Sequence, residues 1–186
     1  MHKFRAILTA VMLVAAPAAF AVDSVSFEGG HSDSSNASVN LYRVGMQWNW
    51  NKKLVEFGGW HVGGYWDVDL AYWDNSSPFQ TGGYDTSGIT EIGLTPTFRL
   101  QQNNISGFSP YVELAVGFHF LSKTYVSSQR QFGSSFQFGD HIGFGARFGD
   151  KGRYDISYRY QHLSNGGIKD PNQGINFNLV RLQYHF

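Results

Sequence analysis

The chain has 186 residues, with 14 Lys and Arg against 14 Asp and Glu and no cysteine. The balanced charge gives no electrostatic reason for a nucleic-acid partner, and the lack of cysteine removes disulfide scaffolds, thiol nucleophiles and thiolate metal sites. Charged residues at 15% and aromatics at 17%, with 22 glycines, depart from ordinary soluble domains, where about a quarter of residues are charged, and the low net charge excludes a disordered chain.

Residues 1–21, MHKFRAILTAVMLVAAPAAFA, carry the three parts of an export signal. Lys3 and Arg5 form the basic start, Ala6 to Ala16 the apolar stretch, and Ala19-Phe20-Ala21 the small-x-small cleavage site. The apolar stretch is too short for a comfortable membrane anchor. The expected division is a signal peptide over 1–21 and one folded domain over 22–186.

No apolar run of about 18 residues follows Ala21, so no spanning helix is predicted. The chain alternates instead with period two, the mark of strands. A short opening strand sets Val25 and Phe27 against Ser24, Ser26 and Glu28. The second sets Tyr42, Val44, Met46, Trp48 and Trp50 against Arg43, Gly45, Gln47 and Asn49. In the third, Trp60, Val62, Trp66, Val68, Leu70 and Tyr72 oppose His61, Gly63, Asp67 and Asp69. The fourth opposes Ile92, Leu94, Phe98 and Leu100 to Glu91, Thr95, Thr97 and Arg99. The fifth opposes Val112, Leu114, Val116, Phe118 and Phe120 to Glu113, Ala115, Gly117 and His119. The sixth opposes Phe138, Ile142, Phe144 and Phe148 to His141, Gly143, Gly145 and Arg147. The seventh opposes Tyr154, Ile156, Tyr158 and Tyr160 to Asp155, Ser157, Arg159 and Gln161, and the last Val180, Leu182, Tyr184 and Phe186 to Arg181, Gln183 and His185.

An even number of such strands predicts an all-β fold, an eight-stranded antiparallel transmembrane β-barrel. Large aromatic side chains cannot all fill so narrow an interior, whereas small and charged ones can. The apolar face is therefore expected to meet lipid, and the opposed acids and arginines to pair inside a plugged barrel. Short connections at 51–53 and 149–152 alternate with longer ones at 29–37, 74–88, 121–135 and 165–174, while 101–109 is intermediate. Short periplasmic turns and long extracellular loops are the pattern of the bacterial outer membrane, with both termini periplasmic. The terminal Phe186 on an alternating strand resembles the assembly signal of such barrels.

The period-two rule breaks at one seam. The apolar row of the seventh strand continues into His162 and Ser164, and that of the last strand begins with Asn176 and Asn178. Antiparallel pairing brings these polar residues to one height on the barrel exterior. His and Ser at i and i+2 on one face, with Cβ atoms about 7 Å apart, can act as base and nucleophile, and Asn176 can accept the other imidazole N–H. The same residues can equally mark the zone of polar lipid headgroups, and spacing alone leaves both readings open.

The segment YRYQHLSNGGIKDPNQGI over 158–175 closely resembles the C-terminal motif of the PagL family, the outer-membrane lipid A 3-O-deacylases, whose pattern is His-x-Ser-Asn followed by Pro-Asn-x-Gly-Ile. The resemblance extends to VGMQWNW over 44–50, GYWD over 64–67 and PYVELAVG over 110–117. It implies an esterase acting on lipid A of lipopolysaccharide among outer-membrane lipids, with Ser164 as nucleophile, His162 as base, and Asn165 and the backbone N–H near Gly167 as oxyanion hole. The family places a Glu after Gly-Ile to orient the His; here that residue is Asn176, with Asp170 or a plain Ser–His dyad as alternatives. No cofactor and no metal is expected. A homodimer is compatible with this reading and is not required by it.

The glycines of 143–149 do not match a dinucleotide-binding fingerprint. His61, His119 and His141 are expected as hydrogen-bonded interior groups, and Asp67 and Asp69 as ion-pair partners. The competing functions are a non-enzymatic barrel working through its loops, and an outer-membrane acyltransferase or phospholipase.

Overall fold

The computed structural model describes residues 21–34, 37–75, 88–127 and 129–186. The expected signal peptide, Ala21 apart, and most of the connection 74–88 lie outside the described residues. The strands are β1 (Ser24–Ser32), β2 (Val39–Asn49), β3 (Val55–Phe57), β4 (Trp60–Asn75), β5 (Ile89–Gln102), β6 (Ser109–Leu121), β7 (Tyr125–Ser127), β8 (Arg130–Gln131), β9 (Phe136–Phe148), β10 (Tyr154–Ser164) and β11 (Ile175–His185). Among the described residues, β1, β2, β4, β5, β6, β9, β10 and β11 form one closed antiparallel ring. First and last strands seal it, from Ser24 opposite His185 to Ser32 opposite Phe177. Closure leaves the ring itself without a free edge, as a strand protein in hydrocarbon requires, with the β5–β6 ladder interrupted at Thr95 and Pro96.

All eight predicted strands are present, and the differences lie in the connections. β1 runs on to Ser32, so the first long connection shrinks to 33–38. The link after β2 is no tight turn at 51–53. It folds β3 onto the start of β4, Val55 opposite Val62 and Phe57 opposite Trp60. Gly58 and Gly59, at φ of 54° and 84°, make the turn that side chains would resist. The connection 121–135 carries the small hairpin β7–β8.

The faces follow the alternation. Val44, Leu70, Leu114, Val116, Ile142, Phe144 and Val180 are exposed on the outside. An apolar surface this continuous exceeds what a water-soluble monomer carries and suits a lipid environment. Aromatic rings collect at both ends of the belt, as interfacial girdles do. At the short-turn end Phe148 stacks on Tyr154, Tyr154 meets Tyr184, and Tyr184 meets Phe186. At the long-loop end Phe118, Phe120, Phe136 and Phe138 pack together.

The interior has two layers. Through the middle runs an ion network: Arg43 meets Glu28 (2.6 Å), Asp69 (3.2 Å) and Glu91 (2.9 Å). Arg159 bridges Glu28 (3.1 Å) and Glu113 (2.8 Å), Arg99 bridges Glu113 (2.9 Å) and Asp155 (3.0 Å), and Arg181 meets Asp67 (2.6 Å). The paired, plugged interior is as expected, since buried charges stand only when paired. Arg147 departs from that set: half-buried at the short-turn end, it donates Nε to the Gly152 carbonyl (2.9 Å). His119 lies 2.6 Å from Glu91, and Asp69, Glu91 and His119 converge within 4.8 Å, with the Arg43 guanidinium supplying the positive charge there.

The second layer was not anticipated. At the long-loop end the interior is apolar: Leu41, Trp73, Ile89, Leu163, Phe177 and Leu179 are buried together, capped by Val126 and Phe132 from the β7–β8 hairpin. Trp73 packs edge-on against Phe177 (4.9 Å) and Phe132 (6.3 Å) and donates its indole N–H to Glu91 (2.5 Å), joining the two layers.

Candidate active site

The outward row of β10 reads Tyr154, Ile156, Tyr158, Tyr160, His162, Ser164, and turns polar as it approaches the long-loop end. Its neighbours fix what His162 meets. Asn176 of β11 lies directly opposite on one side and Asp140 of β9 on the other. His162 Nδ1 is 2.6 Å from Asn176 Oδ1. An amide oxygen only accepts, so Nδ1 is the donor in this contact, and the contact leaves Nε2 free of Asn176. Ser164 is two residues on in the same half-buried row. Asp170, in the exposed part of the loop, does not occupy this position.

Two glycine and asparagine positions shape the loop 165–174. Gly174, at φ 61°, lies beneath the imidazole: a Cβ there would stand 2.7 Å from His162 Cε1. Only a glycine lets the ring settle on the backbone. Asn165 is buried and turned into the loop. Its amide donates to the Lys169 carbonyl (2.5 Å), its Oδ1 accepts the Gly167 N–H (2.9 Å), and its own N–H donates to Asn172 Oδ1 (2.9 Å). The two expected oxyanion donors are thus close to Ser164 in the chain and engaged with loop acceptors.

His162 belongs to two cavities of opposite character. On one side an open groove of about 540 Å³ runs over the barrel wall, lined by Phe98, Leu114, Val116, Ile142 and Tyr160, with Asp140 at its edge. On the other is a polar pocket of about 360 Å³ formed by Asp33, Arg130, Gln173, Gly174 and Asn176. Asp33 accepts the Tyr160 hydroxyl (2.8 Å), and its N–H donates to the Asn176 carbonyl (3.2 Å). Partial burial draws the Arg130 pKa below the ordinary guanidinium value, and Asp33 opposes that shift.

Sequence reasoning missed Asp140, Asp33 and Arg130. Asp140 had a signal: it is the acid within the row Phe138-Asp140-Ile142-Phe144, which otherwise reads as lipid-facing. Asp33 and Arg130 had none, because only the folded loops bring them to His162.

Residues 40–185 match the family model for lipid A 3-O-deacylase (PagL). The chain belongs to the PagL family. It is 32% identical over 170 residues to the lipid A deacylase PagL of Pseudomonas aeruginosa, covering 91% of this chain and 90% of that protein. A crystal structure of the outer-membrane enzyme PagL superposes with a TM-score of 0.72 at 28% identity, covering 88% of this chain and 99% of the other. The PagL-family match spans all the barrel strands from β2 onward and includes the whole seam of β10 and β11.

Proposed function

We propose that this PagL-family barrel is a serine esterase of the bacterial outer membrane, removing the ester-linked 3-hydroxyacyl chain at position 3 of lipid A. The observation that carries the reading is the position of His162. Its ring stands where an apolar groove meets a polar pocket, with Nδ1 held by Asn176 and Nε2 not engaged by it. An ester that joins an acyl chain to a sugar has the same polarity. The long loops then face the cell exterior, and the site reaches the outer leaflet without extracting its substrate.

In this mechanism Ser164 Oγ attacks the ester carbonyl as His162 Nε2 takes its proton. The Oγ–C bond forms, the bond from carbonyl carbon to sugar oxygen breaks, and His162 returns the proton to that oxygen. Water, activated by the same nitrogen, then releases the fatty acid from Ser164. The Asn165 amide and the Gly167 N–H exchange their loop acceptors for the oxyanion as the substrate seats; donors of this kind contribute about 3–4 kcal/mol in serine hydrolases. Asn176 fixes the tautomer and orientation of His162 without adding charge. Asp140, an exposed carboxylate beside an apolar groove, accepts a hydrogen bond from the 3-hydroxyl of the acyl chain. Neither metal nor cofactor is needed by this chemistry.

Mass spectra of lipid A from cells expressing the wild type and Ser164→Ala test the proposal. The expected result is loss of one 3-hydroxyacyl chain with the wild type only. An unchanged spectrum with the wild type, or the same loss with the variant, overturns it. Acyl transfer to another lipid, in place of free fatty acid, would make the protein an acyltransferase.

A further inference from the structure

The polar pocket beside His162 contains a cation that makes no direct ion pair, the Asp33 carboxylate of the same pocket acting on it only from a distance. Arg130 is carried by the β7–β8 hairpin, whose position is set from within. The adjoining Phe132 is buried against Trp73 in the interior cluster and forms a strand bridge with Asn172. The Gln131 N–H donates to Gln173 Oε1 (2.7 Å), tying the hairpin to the loop that precedes β11. So anchored, Arg130 donates Nη1 to the carbonyls of Gly174 and Gln173, while its Nε is buried with no hydrogen-bond partner. A guanidinium has five N–H donors, more than these two carbonyls satisfy.

Each arginine of the barrel's central layer, Arg43, Arg99, Arg159 and Arg181, is ion-paired. Among the described residues Arg130 forms no ion pair. The pocket's carboxylate, Asp33, is engaged by the Tyr160 hydroxyl. A partly buried guanidinium with spare donors, held on a fixed hairpin and opening onto a polar cavity, matches an oxyanion with several acceptors. Arginine suits phosphate in particular, because its planar fork can address two oxygens at once.

This step rests on the deacylase reading. The sugar that carries the position-3 ester of lipid A also carries a phosphate at position 1 of the same pyranose ring, with a single ring carbon between the two substituted positions. With the acyl chain in the apolar groove and the ester at His162, the sugar falls on the side of the polar pocket. We infer that this pocket is the subsite for the phosphate on the sugar whose ester is cleaved, with Arg130 as the group that binds it.

The test compares three purified lipid A substrates in mixed micelles: phosphorylated at both ends, stripped of the position-1 phosphate, and stripped of the distal phosphate. The readout is the ratio of kcat/KM values. The wild type is expected to favour substrates that keep the position-1 phosphate by about tenfold or more, the worth of a charge-assisted pair. Arg130→Ala is expected to bring that ratio close to one, and Arg130→Lys to leave an intermediate value, since it keeps the charge and loses the fork. If Arg130 merely braces the loop, its removal slows all three substrates and leaves the ratio at the wild-type value, which overturns the inference. A wild type indifferent to the position-1 phosphate, or one that follows the distal phosphate, overturns it as well. A wild type that cleaves none of the three overturns the deacylase reading and this subsite with it, whereas a failure confined to the ratio leaves the deacylase standing.

Discussion

Two faces of one strand treat their polar groups in opposite ways. On the inner face of β10, Arg159 distributes its donors over Glu28, Glu113 and the Tyr65 hydroxyl, and is buried in full contact with them. On the outer face, three residues further on, His162 has a single partner at Nδ1 and a cavity on either side. The inner groups are buried and cross-linked by ion pairs that tie strand to strand, even though single atoms among them, such as Arg181 Nη2 and Gln161 Oε1, have no hydrogen-bond partner. The outer groups line open cavities, and that is where another molecule can meet them. What separates the two faces is access: Arg159 is buried, whereas His162 opens onto two cavities.

The largest effect that separates the two faces is expected from Arg159→Ala. It leaves Glu28 and Glu113 short of a buried cation and should destabilise the barrel by about 3–5 kcal/mol, read as a lowered midpoint of heat-induced unfolding in detergent gels. Per folded molecule, activity should change little; a large loss in fully folded protein would show that the inner face takes part in the reaction. A smaller effect is expected outside, at Asn176. Restoring a carboxylate with Asn176→Glu should raise kcat about tenfold or more, because a charged partner stabilises the imidazolium that a neutral amide only orients. An unchanged or lowered kcat would mean that the amide suits this site and that charge at this point is not limiting. The smallest change is expected from Asp140→Asn, which keeps the shape and alters hydrogen bonding at the edge of the groove. It should reduce the preference for 3-hydroxyacyl over plain acyl esters by several-fold, the scale of one hydrogen bond of about 1 kcal/mol, measured as a ratio of kcat/KM values on the paired substrates.

Much of this was legible in the sequence, for a definite reason. In a barrel of this width the two faces have different solvents, lipid and a filled interior, so period two persists along strands such as β6, where Val112, Leu114 and Val116 alternate with Glu113 and Ala115. The His162–Asn176 contact was legible too, because antiparallel register is a matter of counting across one loop. What escaped has an equally physical origin. Near the long loops both faces become apolar, since Leu41, Trp73 and Phe177 stopper the interior while Tyr72 and Tyr42 face outward, and there the alternation no longer tells inside from outside. Asp140 escaped because a row of phenylalanines and isoleucine outweighed one acid. Arg130 and Asp33 escaped because their meeting depends on how three connections fold over one another, which no local pattern encodes.

The apolar stopper has a consequence for the cell that hosts the protein. Trp73, Phe132 and Phe177 close one end of the lumen, and below them guanidinium and carboxylate groups reach across it from strand to strand. Among the described residues, then, the lumen is filled with side chains, and the barrel can sit in a bilayer without adding the open water channel of a porin to it.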